Sequence, residues 1–202
     1  RLVRAPLRRT ASLAPLSSPA AGRCVSSVRA LHIMGGGPSD PPPCDAGVLT
    51  HVDDSGRASM VDVGHKRLTR REAVAQATVD LGPVAYGALT SNAKGDVLAV
   101  ARVAGIGAAK RTSELIPLCH PLLISHAAVD FSFRPENHSL VVRASAACDG
   151  GTGVEMEAMS AAAVAALTVY DMCKAASKGI VVRDVKLLRK SGGKSGEWRA
   201  AG

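Results

Sequence analysis

Aromatic residues are scarce in this chain of 202 residues, since two Phe, two Tyr and one Trp make up only 2% of it. Proteins that bind single-stranded nucleic acid stack the bases on exposed aromatic side chains beside a basic surface. Few such side chains are available here. The formal net charge of +8 therefore does not by itself indicate a nucleic-acid-binding protein.

Long apolar runs and paired cysteines are also lacking. The longest apolar segment, 158–169, is shorter than the roughly 18 residues that a membrane-spanning helix requires. The five cysteines are an odd number, and no two of them have Cys-x-x-Cys spacing. This pattern indicates neither a disulfide framework nor a structural zinc site. We therefore expect a soluble domain with mostly reduced, packed thiols.

Acidic residues and lysine are absent from residues 1–39, which contain six arginines and many Ser, Ala and Pro residues. This composition is typical of an organellar transit peptide. The remainder has 19 basic against 17 acidic residues, so the excess charge lies mostly in this segment. We expect it to direct the protein to the mitochondrial matrix rather than to a plastid, with a basic nucleic-acid-binding arm as the alternative. Residues 40–48 then form a Pro/Gly linker, and the folded domain spans 49–199.

The rest of the chain alternates helical and strand patterns. Thr69-Arg70-Arg71-Glu72 has the form of a capping box, which predicts a helix from about Arg70 to Pro83 with Arg71 in its first turn. The other predicted elements are a helix at 96–110, paired strands at 129–133 and 140–148, the long apolar helix at 158–169 and a last strand at 180–188. This order predicts an α+β sandwich in which an antiparallel sheet carries helices on one face.

Ionisable residues bracket the long apolar helix, with Glu155 and Glu157 at its start and Asp171 and Lys174 at its end. Glu155 and Glu157 share a face if the segment is extended, but lie about 200° apart and cannot share a site if it is helical. Asp171 and Lys174 are three residues apart and can pair. Glu157 and Asp171 are separated by roughly 21 Å along a helix. This distance favours either a long ligand or two sites completed by a second subunit, and a core helix with solvated ends is the structural alternative.

Two further motifs suit anionic ligands. The glycine-rich segment Lys190–Gly196 has backbone amides and two lysines that can hold phosphate, although a flexible tail has the same composition. It is not a Walker A loop, because Leu188 stands where that motif requires Gly, and Lys110 breaks the dinucleotide fingerprint in the same way. His120 precedes Pro121, which places it on an extended or turning segment as an acid, a base or a structural histidine.

Five blocks of sequence, together with Met60–Val63, occur in a characteristic order and spacing. The blocks are Lys94–Val97, Leu115–Leu122, Gly153–Ala158, Leu167–Ala175 and Lys190–Gly196. Over about residues 49–199 the chain resembles the cyclic pyranopterin monophosphate synthases of molybdenum cofactor biosynthesis, the MoaC type. The specificity of this resemblance comes from the ordered set, since no single block would identify the family.

The resemblance implies a ferredoxin-like α+β subunit in a homohexamer, a trimer of dimers, with active sites at subunit interfaces. It also implies a phosphorus–oxygen lyase that rearranges a cyclised GTP-derived triphosphate to cyclic pyranopterin monophosphate and releases diphosphate. No cofactor is required with certainty, and Mg²⁺ is a candidate. The implied catalytic residues are Lys94, Lys174, Asp171, His120 and Glu157, and the implied substrate-binding residues are Arg71, Glu155, Met156, Lys190 and Cys119.

The implied reaction needs several proton transfers. We expect Lys174, with a pKa depressed by burial and tuned by Asp171, to act as one acid or base and Lys94 as another. Lys190, Arg71 and His120 then stabilise the departing diphosphate, with or without Mg²⁺. Two alternatives stay open: a non-catalytic nucleotide- or RNA-binding protein that uses the Gly/Lys loop, and a nucleotide phosphohydrolase.

Overall fold

A computed structural model of the chain describes residues 50–53, 55–91 and 96–201. The predicted transit peptide at 1–39, the predicted linker at 40–48 and Lys94 lie outside the described residues. The elements in chain order are β1 (Thr69–Asp80), α1 (Gly82–Thr90), α2 (Val97–Lys110), α3 (Thr112–Leu115), β2 (His126–Arg134), a 3-10 turn (Pro135–Asn137), β3 (Ser139–Gly150), α4 (Glu155–Cys173), β4 (Val181–Ser191) and β5 (Trp198–Arg199).

The strands form one antiparallel sheet in the order β2-β3-β1-β4-β5. Strand β1 lies between β3 and β4, so the connections from β1 to β2 and from β3 to β4 each cross one intervening strand. This is the β-α-β-β-α-β arrangement of ferredoxin-like domains. Helix α4 packs on β1, β3 and β4, and α2 packs beside it on β2. The predicted α+β sandwich with helices on one face of the sheet is confirmed.

The predicted helix from Arg70 to Pro83 is wrong, because residues 69–80 form the central strand β1. The alanines at 73, 75 and 77 are almost completely buried. Their spacing of two residues fits a strand, and the apolar residues of the same segment also fit the 3.6-residue spacing of a helix. Pairing with β3 on one side and β4 on the other satisfies the backbone of nearly every residue in the strand. These long-range partners override the helix propensity of alanine.

Helices α2 and α4 approach each other closely through small side chains. A Cβ atom at Gly105 of α2 would lie 2.8 Å from the carbonyl oxygen of Ala161 and 2.9 Å from Cγ2 of Val129. The predicted start of α2 is confirmed, since the Asp96 side chain caps it by accepting from the amide of Ala99 at 2.8 Å. Helix α4 is packed on more than one side, as predicted; its buried residues include Ala158, Ala161, Ala162, Ala165, Ala166 and Val169.

The predicted hairpin and last strand are also present. Strands β2 and β3 pair from His126 with Ala147 to Arg134 with Ser139, and the turn between them closes on His138 in the left-handed conformation, φ 50°. The sequence did not predict the short elements α1, α3 and β5. None of the helices in the described part of the chain is long and apolar enough to cross a membrane.

Candidate active site

A cavity of about 430 Å³ lies against the N-terminal end of α4. Its volume is within the range of small-molecule sites. Three parts of the chain surround it: the start of α4 with the residues before it, the segment after α3, and the segment that precedes β1. The lining residues are Thr50, His51, Val61, Val63, Lys66, Leu118, Cys119, His120, Leu122, Thr152, Gly153, Glu155, Met156 and Glu157.

Glu155, Met156 and Glu157 form the first turn of α4, and all three line the cavity. The expectation that two glutamates in a helical segment cannot share a site is therefore wrong here. The cavity borders the end of the helix rather than one of its sides, so residues that point in different directions around the axis still reach it. The negative charge of Glu155 also acts on Glu157.

Glu157 is the buried carboxyl group of this site, with only 4% of its surface exposed. Burial raises its pKa from 4.5 to about 7; the nearby Glu155 charge also raises it, and a hydrogen bond from its own backbone amide opposes the change. Both protonation states are consequently populated near neutral pH. A group of this kind can accept and return a proton within one catalytic cycle.

Cys119 and His120 lie on the non-helical segment after α3, and for His120 the proline at 121 predicted this. The His120 Nε2–H group donates to the carbonyl oxygen of Val61 at 2.7 Å, which orients the ring and leaves Nδ1 for a ligand. The Cys119 pKa is raised by burial and by the charge of Glu157. Cys119 therefore lines the site as a neutral thiol and not as a thiolate nucleophile.

Lys190 joins the end of β4 to the start of α4 through an ion pair with Glu155, at an Nζ–Oε1 distance of 2.9 Å. Both side chains are about two-thirds buried, with exposed fractions of 31% and 28%. Gly153 makes room for this pair, because a Cβ atom there would overlap the Glu155 carboxylate. The ammonium group of Lys190 is thus held at the margin of the cavity by a residue that lines it.

Arg71 lies on β1 and not in the first turn of a helix, where it was predicted. Its guanidinium group donates from Nε to the carbonyl oxygen of Gly150 at 3.2 Å and from Nη2 to that of Gly151 at 3.4 Å. Gly150 ends β3, and Gly151 begins the loop between β3 and α4. The predicted substrate contact of Arg71 stays a prediction, and part of its donor capacity is used within the protein.

Asp171 and Lys174 lie at the opposite end of α4 and do not line the cavity. They pair as predicted, with Lys174 Nζ 2.5 Å from Asp171 Oδ1, but both side chains are more than half exposed. The expected depressed pKa of Lys174 is wrong: the hydrogen bond and charge of Asp171 raise it, and burial is slight. The cavity therefore includes only one end of α4, in agreement with the roughly 21 Å that separates Glu157 from Asp171 along a helix.

Several cavity residues carry no recognisable sequence signal. His51, Lys66 and Thr152 line the cavity, but the segment from 50 to 68 has neither helical nor strand periodicity from which their position could be derived. Lys66 does follow the Met60–Val63 block within a few residues. In the part of the chain that the structure describes, no three or more His, Cys, Asp or Glu side chains are grouped so that they could hold a metal ion.

The fold and the cavity together define a class of protein. A ferredoxin-like α+β domain places a carboxyl group with a pKa of about 7, an oriented histidine and basic side chains around one cavity. Such a site combines acid–base groups with cationic groups for an anionic ligand. The class is therefore an α+β domain with an acid–base site in a cavity of small-molecule size.

Comparison with known proteins narrows this class to one family. The model of the MoaC family matches residues 60–193. A cyclic pyranopterin monophosphate synthase of Bordetella avium is 56% identical over 153 residues, which are 75% of this chain and 94% of the relative. That of Geobacter metallireducens is 58% identical over 153 residues, 75% of this chain and 96% of the relative. The chain belongs to the MoaC family.

A eukaryotic relative is similar over a part of its length. The molybdenum cofactor biosynthesis protein 1 of Mus musculus is 54% identical over 166 residues, which are 81% of this chain and 26% of the mouse protein. The matched region of the mouse protein is thus comparable in size to an entire bacterial relative.

Proposed function

We propose that this protein is a cyclic pyranopterin monophosphate synthase, a phosphorus–oxygen lyase of molybdenum cofactor biosynthesis. Its substrate is the cyclised GTP-derived triphosphate, and its products are cyclic pyranopterin monophosphate and diphosphate. Family membership supports the reaction. The structural observation that carries the proposal is the buried Glu157, with a pKa of about 7, in a cavity bordered by the Glu155–Lys190 ion pair.

The proposed chemistry divides between proton transfer and phosphate displacement. Glu157 and His120 exchange protons with the purine-derived ring as it opens and is rebuilt as a pterin. A sugar hydroxyl then attacks the α-phosphorus: a new P–O bond closes the cyclic phosphate, the bond to the diphosphate breaks, and the hydroxyl proton passes to a base. Lys190 stabilises the departing diphosphate when a phosphate oxygen replaces Glu155 as its partner. Cys119 and Met156 form the wall of the cavity.

The proposed catalytic role of the C-terminal end of α4 depends on oligomerisation. Asp171 and Lys174 are exposed and lie away from the cavity, so they serve catalysis if another copy of the chain brings them to its own cavity. We propose a homohexamer, a trimer of dimers, in which each site is built from two subunits. Lys94, outside the described residues, is proposed as a further catalytic lysine.

The location of the protein and its ion requirement are also proposals. The composition of residues 1–39 supports a transit peptide and import into the mitochondrial matrix. Mg²⁺ enters as a counter-ion that accompanies the triphosphate, because the described residues offer no group of three or more His, Cys, Asp or Glu ligands for a resident ion. No step of the proposed mechanism depends on it.

Turnover of the cyclised triphosphate by the purified protein tests the function. We expect release of diphosphate together with a pterin product, and no consumption of ordinary GTP. Consumption of GTP instead would identify a phosphohydrolase. RNA binding that weakens steeply with salt, without turnover, would identify the non-catalytic alternative.

A further inference from the structure

We propose that Arg71 is a positioning residue, which locks the loop before α4 to the glycine turn after β4 and so sets the geometry of the Glu155–Lys190 pair. This inference rests on the proposed function for its kinetic consequences, but not for its structural ones. It differs from a direct contact between Arg71 and the triphosphate, which the family resemblance implies.

The central position of β1 allows one side chain to reach both neighbours. Arg71 is opposite Cys148 of β3, and the next residue, Glu72, is opposite Ser191 of β4. On the β3 side, the half-buried guanidinium group donates to the carbonyl oxygens of Gly150 and Gly151. Its planar fork can span two consecutive carbonyls, which a lysine ammonium on a flexible stem cannot reproduce.

On the β4 side, the same guanidinium group covers a turn made of Gly192 and Gly193. Both glycines have positive φ, 95° and 75°. A Cβ atom at Gly193 would overlap Nη1 of Arg71 and lie 2.5 Å from its Cζ. Position 193 therefore needs glycine for two separate reasons: its backbone conformation and the space that Arg71 occupies.

The two segments that Arg71 joins carry the two members of the ion pair. Gly151 is four residues before Glu155, and Gly192 is two residues after Lys190. A shift of either segment would change the 2.9 Å separation of Lys190 Nζ and Glu155 Oε1. Displacements of about 1 Å in a catalytic site are enough to lower turnover by roughly 100-fold. Arg71 thus acts on catalysis through Glu155 and Lys190.

The test compares Arg71→Lys and Arg71→Ala, with Arg70→Ala as the charge-matched control. Arg70 is the preceding residue, and its exposed side chain pairs with Glu72 and donates to Ser125. Each variant is first checked for folding by circular dichroism. Hydrogen exchange of the amides in 150–157 is then measured by mass spectrometry, followed by kcat and KM with the cyclised triphosphate and by the affinity for inorganic diphosphate. If Arg71→Ala does not fold, Arg71→Lys, which keeps the charge and the aliphatic stem, carries the test.

We expect amide exchange in 150–157 to become about tenfold faster in both Arg71 variants, as for loss of a charge-assisted hydrogen bond, and to stay unchanged in Arg70→Ala. We expect kcat to fall by roughly 100-fold in both Arg71 variants, while KM and diphosphate affinity change by less than about threefold. A positioning role predicts no rescue by lysine. The proposal would be overturned if lysine restored activity while alanine weakened diphosphate binding, since that pattern identifies a direct charge contact.

A second pair of variants tests the other side of the contact. Gly193→Ala places a methyl group against the guanidinium, whereas Gly82→Ala imposes similar strain at φ 66° with nothing within 4 Å and far from the site. We expect faster exchange in 150–157 only for Gly193→Ala. Equal exchange in the two variants would overturn the proposal. Because exchange needs no substrate, a wild-type protein without synthase activity would refute the proposed function and leave this inference to be decided separately.

Discussion

Replacing Glu157 with glutamine should change the pH dependence of stability in a direction that the structure specifies. The pKa of the Glu157 carboxyl group is about 7 in the folded protein, against an ordinary value of 4.5. Between these values the folded state binds a proton that the unfolded state has released, so the free energy of unfolding falls as pH rises through this window. At about 1.36 kcal/mol per pH unit, the wild type loses roughly 3 kcal/mol from this group.

Urea denaturation of the wild type and Glu157→Gln, at one protomer concentration and at several values between about pH 4 and pH 8, measures this effect. Other titrating groups are common to both proteins and largely cancel in the difference. Glutamine has nearly the same shape and no ionisable group. We therefore expect the glutamine variant to gain roughly 3 kcal/mol relative to the wild type as pH rises across the window.

The control is Glu136→Gln, in the exposed turn between β2 and β3. Its stability should stay within about 0.5 kcal/mol of the wild type at each pH. If the stability difference between Glu157→Gln and the wild type is the same at both ends of the pH range, Glu157 is not held protonated by burial, and the reasoning fails. If burial does hold Glu157 protonated, the pH profile of kcat should lose an inflection near pH 7 in Glu157→Gln, and kcat should fall by about 100-fold or more.

Three further variants test the core, the exposed pair and the ion pair. Gly105→Ala should lower the free energy of unfolding by about 1–3 kcal/mol through overpacking between α2 and α4, whereas Gly107→Ala, with open space around it, should be neutral or stabilising in thermal and urea denaturation. Lys174→Ala should leave the melting temperature nearly unchanged, because an exposed ion pair contributes about 0–1 kcal/mol, yet turnover should fall by about 100-fold or more; normal turnover would remove it from the mechanism. Lys190→Ala should lower kcat by roughly tenfold to 100-fold, because it removes one charge-assisted contact to the departing diphosphate, and a steady-state assay in which only KM rises would contradict that role.

Sequence patterns predicted the elements whose signal is local. The helix at 96–110 follows from its own apolar spacing, and the non-helical conformation at His120 follows from the proline after it, because both effects act between residues close in the sequence. The apolar run of α4 and the alternation of polar and apolar residues along β2 and β3 are likewise local, because each pattern lies within the element that it predicts. The order of helical and strand patterns predicted the α+β fold, and the ordered blocks predicted the family and its ferredoxin-like topology.

The central strand shows where such reasoning fails. Along 73–81, alanines and valines satisfy a helical and a strand period together, so the residues themselves leave both conformations open. Hydrogen-bonding partners in β3 and β4, about 60 to 120 positions away in the chain, decide for the strand, since a central strand exists only through its neighbours. Because 69–80 form a strand, Arg71 does not lie in the first turn of a helix. It lies on β1, where its side chain contacts the loop before α4 and the glycine turn after β4.

The residue types of the candidate site could be read from the sequence, but their ionisation and grouping could not. Glu157 and Lys174 both appeared as charged ends of an apolar helix. Packing around the N-terminal end buries Glu157 and raises its pKa, whereas the other end leaves Lys174 exposed and paired with Asp171, which raises its pKa as well. Burial and charge contacts are properties of the assembled fold. The sequence by itself therefore determined which chemical groups this protein has, and the tertiary structure decided which of them share a cavity and in which protonation state.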